Sequence, residues 1–510
     1  MTEVKMKKIL SLFLVFVMMF SFVACSGGDD SSKGTKPGDT TASNDPDNNG
    51  IEYEKDDLPD DLNFGGQVVR FLLEKRSATE GKASSDKDDV FTEELNSDVV
   101  NDSIYNREKY VEERIGVELE PVYIDPRNGG DYEKTVEKQI AADEDEYQLL
   151  GYITFAFTRF VFMDYLNDLY ELNYLDLEKP WWSQTFNAEA EVMDGLYVTT
   201  GSLSLSLTRA LFAIFYNKSL AESNSEKYPE LLDLYNVVEN GDWTFDKMCE
   251  LGSTIYIDNN GSTTADSEDT FGLGFQKGIG IDFIWSSFDI SVLSPDEDGW
   301  FELDVPTEKL YSALDMLTNL LYNTTGCFVA GYDDDNLDIL SAMFASNNLL
   351  FMNNSLEAIE STTLRNMQSD YGILPTPKYD EKQNEYYSYA HDSYISFAIP
   401  KTNRNPDTAA AVLEAMASYA YRDTEPAYLD TALKGKYMSD PQSRKMLDLV
   451  VDGFKVDAAW IYLETLSAEY PANFRIMISN NKTNYASQHA TMERKVKNAL
   501  KMFKVTTKFS

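Results

Sequence analysis

The stretch from Gln67 to Phe155 alternates strand and helix signatures, and this alternation restricts the fold more than any other feature of the chain. "QVVRFLLE" (67–74) is an apolar run of strand length. In "SIYNREKYVEERIG" (103–116), Ile104, Tyr105, Tyr110 with Val111, and Ile115 fall near helical spacing, and Gly116 suits a helix C-terminus. "VELEPVYI" (117–124) alternates as a strand, "DYEKTVEKQIAADEDE" (131–146) reads as a helix, and "YQLLGYITF" (147–155) as a strand. Such alternation predicts an α/β fold with largely parallel sheets.

The second half continues in the same manner. In "NGDWTFDKMCELG" (240–252), Thr244 is placed to cap a helix, with Asp246 in its first turn and Gly252 at its end. "TEKLYSALDMLTNLLYN" (307–323) repeats apolar residues every three or four positions. "NLLFMNNS" (348–355), "YGILPTP" (371–377) and "SYISFAIP" (393–400) are short strands. Two further helices open on Asn405-Pro406 and Asp440-Pro441, a cap followed by Pro at the first helical position. No internal repeat and no long linker follows residue 61. Some 450 residues exceed one ordinary core, so two lobes that interleave or pack directly are expected.

The N-terminus sets the compartment. Lys5, Lys7 and Lys8 precede an apolar stretch, Ile9–Ala24, that is short for a membrane span of about 20 apolar residues. A basic region, a short apolar run and a small residue before a cut make a secretory signal, here residues 1–24. Phe22-Val23-Ala24-Cys25 resembles a bacterial lipobox, with Phe22 where Leu is usual. That resemblance implies that Cys25 becomes the mature N-terminus and carries lipid on its sulfur. Two or more acyl chains hold a bilayer stably, while one binds marginally. Residues 25–61 are rich in Gly, Ser, Asp, Asn and Thr and too poor in large apolar groups to offset the entropy of ordering. They read as a flexible tether reaching ~30 to 35 Å on average.

Composition narrows the function. The formal charge is −42, and removing residues 1–24, which hold three Lys and one Glu, leaves −44. Such a surface repels phosphate backbones, so no nucleic-acid partner is expected. Beyond Cys25 there are two cysteines, Cys249 and Cys327, which the sequence leaves open as one disulfide or two free thiols. Two histidines, with no HExxH and no paired CxxC, provide no zinc pattern, and no cofactor is expected. "GLGFQKG" (272–278) lacks the strand-turn-helix setting and acidic partner of a dinucleotide loop. "GYDDDNLD" (331–338) and "SPDEDG" (294–299) lack the spaced ligands of a calcium loop.

Seven segments, in order, resemble the extracellular solute-binding proteins of ABC transporters, in the large carbohydrate-type branch that includes maltose-binding protein. They are "RALFAIFYNKSLAES" (209–223), "NGDWTFDKMCEL" (240–251), "FGLGFQKG" with "FIWSSF" (271–288), "LLFMNNSLEAIEST" (349–362), "YGILPTPKYDE" (371–381), "SYISFAIPKTNRNPDTAAAVLEAM" (393–416) and "DPQSRKMLDLVVDGFKVD" (440–457). The resemblance implies a two-lobed periplasmic-binding-protein-like fold with interleaved lobes. Residues 62–212 and 393–440 would form lobe 1, and residues 213–392 and 441–510 lobe 2. The hinge strands would be "RALFAIFYN" and "HDSYISFAIP". Ligand would lie at carboxyl ends of strands and be trapped by hinge closure. The implied function is capture of a small-molecule solute, a carbohydrate, and its delivery to ABC permease subunits by a monomer held on the extracytoplasmic face of the cell membrane. No catalysis is implied. A secreted glycoside hydrolase, which needs two carboxylates roughly 5 to 10 Å apart, and a receptor for peptide or another polar solute are the alternatives.

Sugar rings present a C–H face to aromatic side chains and hydroxyls to planar polar groups. The resemblance places Trp285, in "IDFIWSSF", and Trp460, in "KVDAAWIY", beside the ligand; as plain residues each also reads as a core side chain. Trp181 and Trp182 follow Pro180 in a loop, which is expected to leave at least one ring outward, although lobe packing explains the pair equally well. Asn353, Asn354 and Ser355 end a strand, and His391 and Asp392 lie where the chain returns across the cleft. Asp392 suits a double hydroxyl acceptor or a turn cap. Phe155 and Phe157 are placed to form an apolar wall. Replacing Cys25 with Ala is expected to move the protein from the membrane to the soluble fraction on cell fractionation. A variant that still pellets with membranes would rule the lipid anchor out.

Overall fold

A computed structural model describes residues 53–75, 90–125, 130–262, 264–332, 335–433, 441–467 and 469–507. The signal segment, Cys25 and the expected tether up to residue 52 lie outside the described residues, as does Asp440. Residues 53–61 lie against the body: Leu58 is buried, Asp56 pairs with Arg114 at 2.6 Å, and the Asp56 amide donates to Ser418 Oγ at 3.1 Å.

In chain order the strands are β1 (Gln67–Glu74), β2 (Val117–Ile124), β3 (Leu149–Ile153), β4 (Phe212–Asn217), β5 (Tyr256–Ile257), β6 (Thr270–Gln276), β7 (Leu293–Pro295), β8 (Phe301–Leu303), β9 (Cys327–Ala330), β10 (Leu349–Ser355), β11 (Tyr371–Leu374) and β12 (Ile395–Ala398). One sheet has the order β12-β3-β1-β2. A second runs β11-β4-β10-β6-β5 with β9 also on β6, and β7 and β8 form a hairpin. The α/β expectation is met, with one correction to "largely parallel". The strands β1, β2 and β3 are parallel, as are β6, β9 and β10, but β12 runs antiparallel to β3 and β4 antiparallel to β10. Strands β4 and β12 each enter a sheet directly from the other one, so the direction of that crossing sets their sense.

Local chemistry explains the element ends. The first helix spans Val99–Ile115 and starts earlier than the apolar spacing indicates, because Asp98 accepts from the Val100 and Asn101 amides. It stops at Gly116, whose φ of 64° lies in the left-handed region; a Cβ there would sit 2.5 Å from Asn63 Oδ1. The next helix, Tyr132–Ala142, ends at a left-handed Asp143, so the acidic tail read as helical falls beyond it. Thr244 caps Phe245–Gly252 by accepting from Lys247 N, and the helix Thr307–Asn323 has the limits its apolar spacing predicts. Pro406 opens Pro406–Tyr419, but the Asn405 side chain makes no capping bond. "GLGFQKG" lies largely within β6, and "SPDEDG" is the β7–β8 turn. Cys249 and Cys327 are both free thiols.

The two sheets are joined by two antiparallel passages. Thr199 and Phe397 exchange backbone hydrogen bonds of 3.0 and 2.8 Å. Further along, Leu211 faces Ala390; Phe212 N donates to Tyr389 O at 2.8 Å and His391 N to Ala210 O at 3.0 Å. Ala210–Phe212, His391 and Phe397 fall within the expected hinge strands, while Thr199, Tyr389 and Ala390 lie outside them. Hydroxyls in these segments are satisfied in place: Ser206 Oγ accepts from Ile395 N at 3.0 Å and Thr200 Oγ1 donates to Ile395 O at 2.8 Å.

Trp181 and Trp182 are 0% and 1% exposed, so neither ring points outward as the loop reading expected. The reason is a buried acceptor: Glu414, itself 1% exposed, takes a 3.0 Å hydrogen bond from Trp182 Nε1. Burial pushes the Glu414 carboxyl up to about 7, although the Trp182 bond works against it. Glu189, Asp282 and Asp457 are shifted in the same direction by burial. Between the unfolded value and the folded one, the native state binds a proton that the unfolded state does not, so stability falls as pH rises through that window. Melting temperature is expected to decline from about pH 5 to about pH 8, with a shallower slope in Glu414→Gln. Scanning calorimetry over that range checks this, and an unchanged slope in the variant counts against a buried, protonated Glu414.

Candidate functional site at the crossing strands

Carboxyl ends of both sheets adjoin the crossing. Thr154, directly after β3, donates its amide and its hydroxyl to Tyr394 O at 3.0 and 2.9 Å. Leu356, directly after β10, donates its amide to Leu211 O at 2.8 Å. The short helix Ala458–Ile461 packs against the β3 side: Thr158 Oγ1 donates to Ile461 O at 2.9 Å, and Ala458 N to Glu189 Oε2 at 3.0 Å. Ser286 Oγ donates to Lys455 O at 2.6 Å.

Within this seam the structure brings Trp285 and Trp460 together. Their rings meet edge-on with centroids 6.4 Å apart, and Tyr389 from the crossing segment lies 5.7 Å from Trp460. Both tryptophans are 3% exposed, so each is a packing residue as well as a candidate wall. The sequence reading missed the charged pair beneath them. Arg475, on the helix Tyr470–Ser479, pairs with Asp282 and places its guanidinium 5.4 Å from the Trp460 ring centre. Asp282 is 1% exposed, and burial lifts its carboxyl to about 6 against the pull of Arg475. Trp460 Nε1 and Arg475 Nε are buried donors with no hydrogen-bond partner among the described residues. The available signal was one charged residue inside each of two apolar segments, "GIGIDFIW" and "NFRIMI".

His391 and Asp392 touch through Nε2 and Oδ1 at 3.2 Å, and His391 Nδ1 lies 2.7 Å from Ser393 Oγ. Asp392 acts electrostatically on Asp282, Arg475 and Glu464, which places it at the same seam. The other candidates are more committed. Asn354 Nδ2 donates to Ser341 Oγ at 3.1 Å while its Oδ1 accepts from Ser355 N at 2.8 Å, and both residues are buried. Asn353 is fully buried, with neither amide atom hydrogen-bonded among the described residues. Phe157 is buried against Tyr152 and Phe160, and Phe155 is partly exposed. Trp181 lines a separate cavity that Trp285 and Trp460 do not reach. Among the described residues no cluster of His, Cys, Asp or Glu is placed to hold a metal ion. Aromatic faces, an acidic acceptor and unpaired donors at one seam suit a polar solute with apolar faces.

A scan against protein-family models finds no match, and neither does a search of curated proteins. Solved structures do match. The sugar-binding protein MalE of Xanthomonas citri has a TM-score of 0.53 at 12% identity, covering 86% of this chain and 98% of its own. A cyclo/maltodextrin-binding protein complexed with maltotetraose gives 0.52 at 12%, covering 86% and 97%. The GacH receptor of Streptomyces glaucescens, solved unliganded and with acarbose, gives 0.51 at 13%, covering 86% and 99%. The chain therefore has the two-lobed fold of the periplasmic-binding-protein type, with interleaved lobes joined by crossing strands.

Replacing one member of a buried ion pair strands the other. Asp282→Asn is expected to cost about 3 kcal/mol in denaturant unfolding, and Asp282→Asn with Arg475→Met to cost less than the single change. A neutral single variant would show that the pair is hydrated and contributes nothing to the fold.

Proposed function

We propose that the protein is a lipid-anchored receptor on the extracytoplasmic face of the membrane that captures an oligosaccharide between its lobes and delivers it to an ABC permease. It binds its solute and performs no chemistry on it. The observation that carries this reading is the fold, shared with receptors described in complex with maltotetraose and acarbose. The lipobox-like seam at Cys25 supports the anchor. No helix among the described residues is long and apolar enough to cross a membrane. Lobe 1 would be residues 62–212 and 393–440, and lobe 2 residues 213–392 and 441–510. The division of strands between the sheets, with β12 joining β1–β3, supports these limits. Ligand would lie between Trp285, Trp460, His391 and Asp392 on one side and the chain after β3, including Phe157, on the other; Asn354 and Ser355 would border it at the end of β10.

A thermal-shift panel of maltotetraose, acarbose and other oligosaccharides tests this. A ligand present at about one hundred times its Kd stabilises by roughly 2.7 kcal/mol, and small-angle scattering should record a more compact liganded form. Chromatography of the same mixtures should return the sugar intact. A tightly bound ligand that leaves the radius of gyration unchanged counts against the closing trap, and any turnover counts against a pure receptor.

A further inference from the structure

A cavity of about 300 Å³ lies on the crossing segment, distinct from the Trp285–Trp460 seam. Ser202, Thr208 and Leu211 line one wall, and the others come from the Trp181–Trp182 loop, the helical stretch holding Tyr421 and Glu425, and residues 451–454. Its volume is at the lower end of small-molecule sites.

The lining is aromatic and acidic without a counter-charge. Glu425 accepts from Ser202 Oγ at 2.7 Å and from the Thr208 hydroxyl, both neutral donors. Asp452, exposed to solvent, is the second carboxylate in the wall. Among the described residues neither is ion-paired to a Lys or Arg. Lys179 sits 5.9 Å from the Trp181 ring centre but is held by Glu54 and Asp57 and forms no part of the wall. Tyr421 and Phe454, both partly exposed, supply the rings, while Trp181 is fully buried. Aromatic faces beside unpaired carboxylates attract a desolvated cation and discriminate against a neutral molecule of the same shape.

We propose that this cavity binds a small organic cation, an alkylammonium or quaternary ammonium group seated beside Tyr421 and Phe454 with Glu425 and Asp452 as its counter-charge. The site is separate from the sugar seam and does not depend on the sugar reading. Burial and the charge of Asp452 hold the Glu425 carboxyl above its ordinary range. A cation in the cavity would favour its ionised form.

Calorimetric titration of the full mature chain with choline, against its uncharged carbon isostere 3,3-dimethyl-1-butanol and with sodium chloride as the ionic control, tests the proposal. Choline should bind saturably and at least about tenfold more tightly than the alcohol. Glu425→Gln should weaken choline, as should Asp452→Asn, which alters an exposed residue and keeps the test decisive if the first variant fails to fold. Equal binding of choline and the alcohol, no saturable heat, or an Asp452→Asn protein with wild-type affinity would each overturn it.

Discussion

The antiparallel pairing of the two crossing segments, Thr199 with Phe397 and Leu211 with Ala390, is the contact on which the remaining architecture depends. It fixes the direction in which the chain enters each sheet, and so makes β4 and β12 antiparallel to the neighbours they join. It also brings the carboxyl ends of β3 and β10 to one place, since Thr154 and Leu356 both bond to the crossing backbone. A two-segment ladder resists sliding because each slip breaks backbone hydrogen bonds, while bending is absorbed by a few φ/ψ angles. Ser204 and Ser206, both buried, satisfy each other at 2.6 Å, so polar side chains within the crossing carry little desolvation penalty.

Charge is buried at two points beside this crossing. Arg209, within the first passage, pairs with Glu360 at 2.8 Å, and both side chains are under 10% exposed. Arg475 pairs with Asp282 beneath Trp460. Buried pairs contribute little net stability once desolvation is counted. Their effect here is placement: a planar guanidinium fixed against an indole holds that ring still, and the ring forms part of the seam. Against a surface of net charge −42, these two arginines are cations spent internally rather than on solubility.

Much of the architecture was legible along the chain. The helix Thr307–Asn323, the cap at Thr244 and the strands β1 and β2 follow from apolar spacing and short-range hydrogen bonding, which act over a few residues. Of the candidate site, Trp285 and Trp460, which the resemblance named, lie ring to ring. Asp282 and Arg475 went unnamed, because a charge inside an apolar segment signals burial but not the distant partner that satisfies it.

The sequence by itself determined the main elements, their order, the cap at Thr244 and the apolar run ending at Ala24, because each depends on neighbours within a turn or a strand length. Only the tertiary structure decided which polar groups are satisfied and by whom. Trp182 lies in a loop that reads as exposed, yet it is buried because Glu414, 232 residues away, accepts its indole N–H. The sense of β4 and β12 was likewise settled by the crossing. Both outcomes rest on contacts between residues far apart in the chain, whose partners no local periodicity encodes.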